Sequence, residues 1–364
     1  MYKDDKRVVM TLDAGGTNFV FSAICGGMEI INPIILPSNA DNLDKCLQSL
    51  VTGFTEVKSQ LSHAPIAISF AFPGPANYKE GIIGDLPNLP SFRGGIALGP
   101  FLEDKFGIPV FINNDGNLFA YGEALTGALP LINSKLEISG SKKRYENILG
   151  ITLGTGFGAG VVIDGKLLLG DNGAGGDVWC FRNPEYPKYI IEESVSIRAV
   201  KRVYRELSGD ESEKTPKEIF EIAEGERQGD REAAVKSFSK LGEAAGDAIA
   251  TALTVIDGLV VIGGGLTGAA KYIIPSVIKV LNGDIEMMDG TVLPRMQMKA
   301  FNLDDDSEFA LFAKGEGVKI KIPDTNKEID YDPMKRVGVM ISPYGTSHSI
   351  SMGAYVYALN HLNV

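Results

Sequence analysis

Two short stretches place polar groups where an apolar strand would otherwise run on. Around Asp13-Ala14-Gly15-Gly16-Thr17, an apolar, β-branched run is interrupted by one carboxylate, two glycines and a hydroxyl before it resumes at Phe19. In Phe111-Ile112-Asn113-Asn114-Asp115-Gly116-Asn117, a second apolar run ends in four polar residues out of five. A phosphate approaches the backbone closely only where side chains are absent and N–H groups point inward, so Gly15, Gly16 and Thr17 suit one, the hydroxyl adding a donor. Asp13 beside them could hold Mg²⁺ against such phosphates, directly or through water. Asp115, at the carboxyl end of a strand, could accept the proton of a hydroxyl attacking a γ-phosphate. Both stretches also have plainer readings: a tight hairpin turn for the glycines, and a helix N-cap ahead of Leu118–Leu125 for the second.

The elements that must position these groups repeat at long range. Val8–Ile31 reads strand, Gly-rich turn, strand, tight Gly26-Gly27 turn, strand. Asn147–Leu169 has the same order, with Gly154-Thr155-Gly156 in the first turn and Asp164-Gly165 in the second. In this second copy Leu153 or Gly154 stands where the first has Asp13, so the turn itself does not need the acid. A third cluster, Gly263-Gly264-Gly265, follows the apolar Gly258–Ile262. Two copies of one unit suggest two similarly built α/β domains. Strands at Ile66–Phe72 and Val110–Asn113 alternate with helical stretches at Asp41–Leu61 and Pro100–Phe106, the pattern of a mixed sheet covered by helices. From Ala234 onward, Phe238, Leu241, Ala245, Ile249, Ala252 and Ile256 recur at helical spacing on one face. Ile138–Tyr145 reads as a surface loop, and Lys314–Lys335 as a charged excursion. There is no GxxxxGK[ST], and Gly154–Gly160 runs into a strand instead of a helix. A nicotinamide enzyme is therefore disfavoured.

A chain of 364 residues exceeds what one core usually serves, which again gives two domains. The 44% hydrophobic and 22% charged content is that of a soluble globular protein. A net charge of -11 argues against nucleic acid or an anionic membrane as partner. No stretch reaches membrane-spanning length, and MYKDDKR leads into a strand with no apolar signal core, so the expected location is cytoplasmic. Cys25, Cys46 and Cys180 are scattered without CxxC spacing, and with three histidines a zinc site has little to build on.

Asp13-Ala-Gly-Gly-Thr17, Phe72-Pro-Gly-Pro75, Pro87-Asn88, Asn114-Asp115 with Gly122-Glu123, Gly154-Thr155-Gly156 and Val260-Val-Ile-Gly-Gly-Gly265, in that order, resemble the motif series of the ROK family (repressor, open reading frame, kinase). The resemblance covers nearly the whole chain. It implies the duplicated actin-like, ribonuclease-H-like two-domain sugar-kinase fold, with ATP and a hexose in the interdomain cleft and a C-terminal helix, Ile350–Leu362, returning to the first domain. The expected bounds are 1–117 plus 346–364 for a small N-terminal domain and 118–345 for a larger one. By the same resemblance Asp115 is the catalytic base. Asn88, Asn114, Asp177 and Glu192 bind the sugar. Gly15, Gly16, Thr17, Thr155 and Gly156 take phosphates, and Gly264 and Gly265 meet the nucleoside.

The departures fall in the sugar shell. Where the family commonly reads NGxxGE[IL]GH, this chain reads Asn172-Gly-Ala-Gly-Gly-Asp177-Val178-Trp179-Cys180. Asp177 stands for a glutamate and Cys180 for a histidine that touches sugar and zinc. FRNPEYPKYI replaces the cysteine-rich zinc loop. Trp179, the only tryptophan, either stacks on a sugar face or fills the core, the second being favoured. The expectation is an ATP-dependent kinase of a hexose or an N-acylated or otherwise modified hexose, using ATP and Mg²⁺ without zinc. The shortened acid counts against unmodified glucose as the best substrate. The competing class is a sugar-binding sensor without turnover. A DNA-binding repressor is disfavoured by the charge and by a first strand that begins at about Arg7, with no helix-turn-helix ahead of it. A homodimer is left open.

Overall fold

Three parallel strands carry the first sheet, and their carboxyl ends share one edge. The computed structural model describes residues 2–86 and 89–362. One unit gathers the chain up to Gly127, Gly160–Gly176 and the chain from Tyr344 onward; the other holds Ala128–Ala159 and Asp177–Pro343.

In the first unit β1 (Val9–Ala14) turns through the glycines into β2 (Asn18–Cys25), then β3 (Met28–Glu29) and β4 (Ile34–Pro37). After α1 (Leu43–Gln60) comes β5 (Ala67–Ala71), then a small sheet of β6 (Ala76–Asn77), β7 (Ile82–Ile83) and β8 (Ile96–Ala97). α2 (Leu98–Phe106), β9 (Val110–Asn113) and α3 (Asp115–Leu125) follow. The main sheet is ordered β3-β2-β1-β5-β9, with β4 also on β2. β1 pairs antiparallel with β2, while β1, β5 and β9 are parallel. The expected helix Asp41–Leu61 is trimmed at both ends: Asn42 Oδ1 accepts the Lys45 N–H at 3.0 Å and caps its start, and Leu61 turns to extended backbone at its end. Phe21 and Phe54 meet edge to face at 5.1 Å in the core beneath.

The second unit contains α4 (Ala128–Ile138), β10 (Ile148–Leu153) and the start of β11 (Phe157–Ile163), whose end belongs with β12 (Lys166–Leu167) to the first unit. α5 (Ile197–Ser208), α6 (Pro216–Glu224), α7 (Arg231–Ile256), β13 (Leu259–Gly263) and α8 (Ala270–Leu281) follow. The remainder comprises the hairpin of β14 (Asp284–Glu286) and β15 (Val292–Pro294), β16 (Lys299–Asn302) and α9 (Asp306–Lys314). It continues with the exposed hairpin of β17 (Val318–Lys321) and β18 (Glu328–Tyr331), and with β19 (Arg336–Ile341). β10, β13, β19 and β16 lie side by side and parallel. The meander β10-β11-β12 thus repeats β1-β2-β3, as the sequence repeat predicts, and β13 and β19 stand where β5 and β9 stand. The apolar face read from Phe238 to Ile256 is buried along α7.

Two expectations shift. Ile138 ends a helix, and Tyr145 is not surface loop. Its ring stacks on Phe312 at 5.4 Å and its hydroxyl donates to Arg336 O at 2.8 Å, partners too distant in sequence to show in the local polar pattern. The C-terminal helix α10 (Thr346–His361) starts a turn before Ile350, because polar Ser349 is buried there and donates to Glu123 Oε1 at 2.6 Å. The excursion at Lys314–Lys335 folds largely into the β17–β18 ribbon. Among the described residues no helix is long and apolar enough to cross a membrane.

Candidate active site

The carboxyl edge of the first sheet collects the polar groups. Asn114 is the N-cap of α3, its Oδ1 accepting the Asn117 N–H at 2.6 Å, and this leaves its Nδ2 without a partner among the described residues. The capping task therefore falls to Asn114 and not to Asp115. Asp115 is the first residue of the helix, exposed, and among the described residues accepts only the N–H of its own neighbour Gly116, at 2.9 Å. Asp13 ends β1 on the same edge. Its carboxyl is pushed above the ordinary value of 3.8, first by the protein packed around it and second by the charge of Asp115. The charge of Asp115 is therefore felt at Asp13. Replacing Asp115 with Asn lowers the titration midpoint of Asp13 part of the way to its ordinary value, since burial stays, as read by carbon NMR of the carboxyl group. A midpoint that does not move refutes the coupling.

The first glycine turn is built for close approach. A Cβ on Gly15 would stand 2.8 Å from Asn18 O, whereas one on Gly16 meets nothing within 4 Å, so Gly16 faces open space. Ser38, which drew no attention in the sequence, is buried and holds this turn. Its hydroxyl donates to Gly16 O at 2.6 Å and its N–H to Thr17 O at 2.9 Å. A serine just past an edge strand gives no signal of that task.

In the second unit Thr155 is exposed at the tip of the matching turn. Gly264 adopts φ +96°, and a Cβ there would lie 2.2 Å from Leu153 O, so only glycine allows it. This approach brings the third glycine cluster against the residue that precedes Gly154-Thr155-Gly156. Gly265 faces open space. Glu192, in the short turn Ile191–Glu193, accepts the Phe157 N–H at 2.9 Å on Oε2.

The segment that replaces the zinc loop is organised by hydrogen bonds. Buried Asn183 donates to Ser194 Oγ at 2.8 Å and accepts the N–H groups of Glu185 and Tyr186, each at 3.1 Å. Ile191 N donates to Phe181 O at 2.7 Å, and the turns Val178–Cys180 and Ile191–Glu193 pack together, which brings Asp177 and Glu192 into one region. The Asp177 carboxylate has no partner among the described residues, and Cys180 Sγ donates to Asp177 O at 3.0 Å. Trp179 is 40% exposed, so it does not fill the core: the short turn at Val178–Cys180 buries Val178 and turns the indole outward. Asn88 lies outside the described residues. Among the described residues no group of three or more His, Cys, Asp or Glu could hold a metal ion.

The two sheets, each a meander continued by parallel strands, together with paired glycine turns and a carboxylate at the head of a helix, define the class. The ROK family model matches residues 9–287, and the chain belongs to the ROK family. It has the actin-like fold of that family's sugar kinases. It is similar to the crystal structure of a glucokinase from Parabacteroides distasonis, with 65% identity, a TM-score of 0.91 and 99% of each chain covered. It is 27% identical to a glucokinase of Thermotoga maritima over 289 residues, 74% of this chain and 85% of that protein. It is also 27% identical to an N-acetyl-D-glucosamine kinase of Photobacterium profundum over 307 residues, 75% and 94% of the two.

Proposed function

We propose the following reading of the site. The chain is an ATP-dependent carbohydrate kinase that transfers the γ-phosphoryl group to a hydroxyl of a hexose or a modified hexose. The observation that carries it is Asp115: relieved of the capping task by Asn114, exposed, and electrically coupled to Asp13 beside a glycine turn. Asp115 takes the proton from the sugar hydroxyl as its oxygen bonds to the γ-phosphorus, and the bond from that phosphorus to the bridging oxygen breaks to leave ADP. Gly15, Gly16, Thr17, Thr155 and Gly156 take the phosphates, and Gly264 and Gly265 take the nucleoside. Asn88, the free Nδ2 of Asn114, Asp177 and the lone pairs left on Glu192 hold the sugar.

Mg²⁺ fits at Asp13, held directly or through water. Two carboxylates that repel one another favour a cation, and a site with so few protein ligands suits an ion completed by water and phosphate. When bound, the ion neutralises charge on the phosphates. The zinc loop's place is taken by the Asn183 network, so the reading includes no zinc. No observation favours the sensor without turnover.

The test is ADP release from Mg-ATP with a panel of hexoses, amino sugars and N-acylated amino sugars. At least one sugar is turned over, and none being turned over refutes the reading. A relative named glucokinase at 65% identity sets glucose at the head of the panel, against the expectation drawn from the shortened acid at 177. Asp177→Glu decides the point. Restoring one methylene of reach raises kcat/KM for glucose relative to N-acetylglucosamine by about tenfold, the scale of a single well-placed contact. An unchanged ratio means that Asp177 does not select.

A further inference from the structure

Glu192 enters the site as an acid for the sugar, yet most of its carboxylate is engaged elsewhere. Oε2 accepts the Phe157 N–H at 2.9 Å, and Oε1 meets Arg198 Nη2 at 2.8 Å. Arg198 is anchored in turn by Glu193 Oε1, at 3.0 Å through Nε and 2.8 Å through Nη2. Its Nη1 reaches Thr155 O at 3.4 Å, and the preceding Ile197 donates its N–H to Gly154 O at 2.9 Å. The segment from Glu192 to Arg198 therefore grips the second glycine turn at Gly154 O, Thr155 O and Phe157 N. Gly156 lets the carboxylate in, because a Cβ there would stand 2.7 Å from Glu192 Oε2.

Two of these three holds depend on Arg198. Without its guanidinium the Glu192 carboxylate, whose side chain is 21% exposed, can swing to water and release the Phe157 N–H, and the link to Thr155 O is lost outright. We propose that Arg198 is a positioning residue for the nucleotide: through Glu192 it fixes the Thr155-Gly156 turn in the shape that receives phosphate. This rests on the kinase reading above. Because the pair is partly exposed it adds little to overall stability, so its loss shows in nucleotide affinity and not in melting. The planar fork of arginine, which serves Glu192 and Glu193 at once, is not reproduced by lysine.

The experiment titrates a non-hydrolysable ATP analogue with Mg²⁺ into the full chain, without sugar, by calorimetry. Wild type, Arg198→Met, Arg198→Lys, Glu192→Ala and the Arg198→Met/Glu192→Ala double variant are compared. Arg198→Met weakens binding by about tenfold, the scale of one charge-assisted hydrogen bond, with the melting temperature within about 2 °C of wild type. Arg198→Lys weakens it about threefold, and this arm carries the test if the Met variant does not fold. The double variant loses less than the two single losses combined, since the hold on the Phe157 N–H runs through Glu192 while the link to Thr155 O is Arg198's own. In turnover, KM for ATP rises by the same factor while kcat moves less. An unchanged Kd in the Arg198 variants overturns the proposal, as do fully additive losses in the double variant, which would mean that nothing of Arg198 acts through Glu192. Failure of the wild type itself to bind the analogue overturns the kinase reading and this proposal with it, and is told apart because it needs no variant.

Discussion

Asp115→Ala lowers kcat on the best sugar of the panel by roughly 10²–10⁴-fold, the range spanned by loss of a general base. The chain stays folded, because the hydrogen bond that starts α3 comes from Asn114 Oδ1 and Asp115 accepts only the N–H of Gly116. A proton taken only in the transition state lowers kcat and kcat/KM together, and leaves the dissociation constants of sugar and nucleotide near those of wild type. Asp115→Asn behaves alike, being of the same shape without a basic oxygen. The same truncation at Asn114 would be a poorer test, since losing a helix cap costs about 0.5–2 kcal/mol and would mix stability with chemistry. Turnover that survives in both Asp115 variants refutes the assignment.

Gly353→Ala carries the largest effect expected on stability. In the first unit α10 crosses α3 where Gly353 and Gly122 face each other's backbones. A Cβ on Gly353 would stand 1.9 Å from Leu118 O, and one on Gly122 2.0 Å from Ser349 O. These obstacles are carbonyl groups that cannot rotate aside, so the helices must part. Parting them also strains the buried hydrogen bond from Ser349 Oγ to Glu123 Oε1. In an exposed helix the same change gains about 1 kcal/mol from propensity. Here overpacking against backbone exceeds that gain, for a net loss of about 2–4 kcal/mol. The first thermal transition reads it as a lower midpoint. A midpoint at or above that of wild type refutes the claim that the crossing tolerates no side chain.

The parts of this molecule legible in its sequence are those written in local pattern. The meander at Val8–Ile31 and its repeat, the strand at Val110–Asn113 and the face of α7 each follow from spacing alone. Asp13 and Asp115 stood out because a carboxylate ending an apolar strand has no packing reason to be there. Arg198 could not be read this way. It sits on α5 with Lys201, Arg202 and Arg205, a series that looks like a solvated cationic face, and the turn it braces lies 43 residues earlier. Ser38 and Tyr145 were hidden for the same reason: a buried polar atom is recognised by its partner, and these partners are set by tertiary contact. Trp179 misled because size and apolarity favour burial only on average, and a short turn at Val178–Cys180 presents it to solvent.

The crossing of α3 and α10 also bears on how the chain is made. Every residue of α3 from Gly116 to Ala124 is buried, and α10 covers that helix and lies on β1 and β5 as well. Synthesis runs from the N-terminus, so α3 leaves the ribosome long before its cover does, with everything from Ala128 to Pro343 translated in between. During that interval the face of α3 that α10 covers has no native partner. The second unit, whose strands and helices arrive in one nearly continuous stretch, can close first, and the first unit is completed only when the helix from Thr346 emerges. A pause in translation late in the message therefore prolongs exposure of the part of the protein that was made earliest.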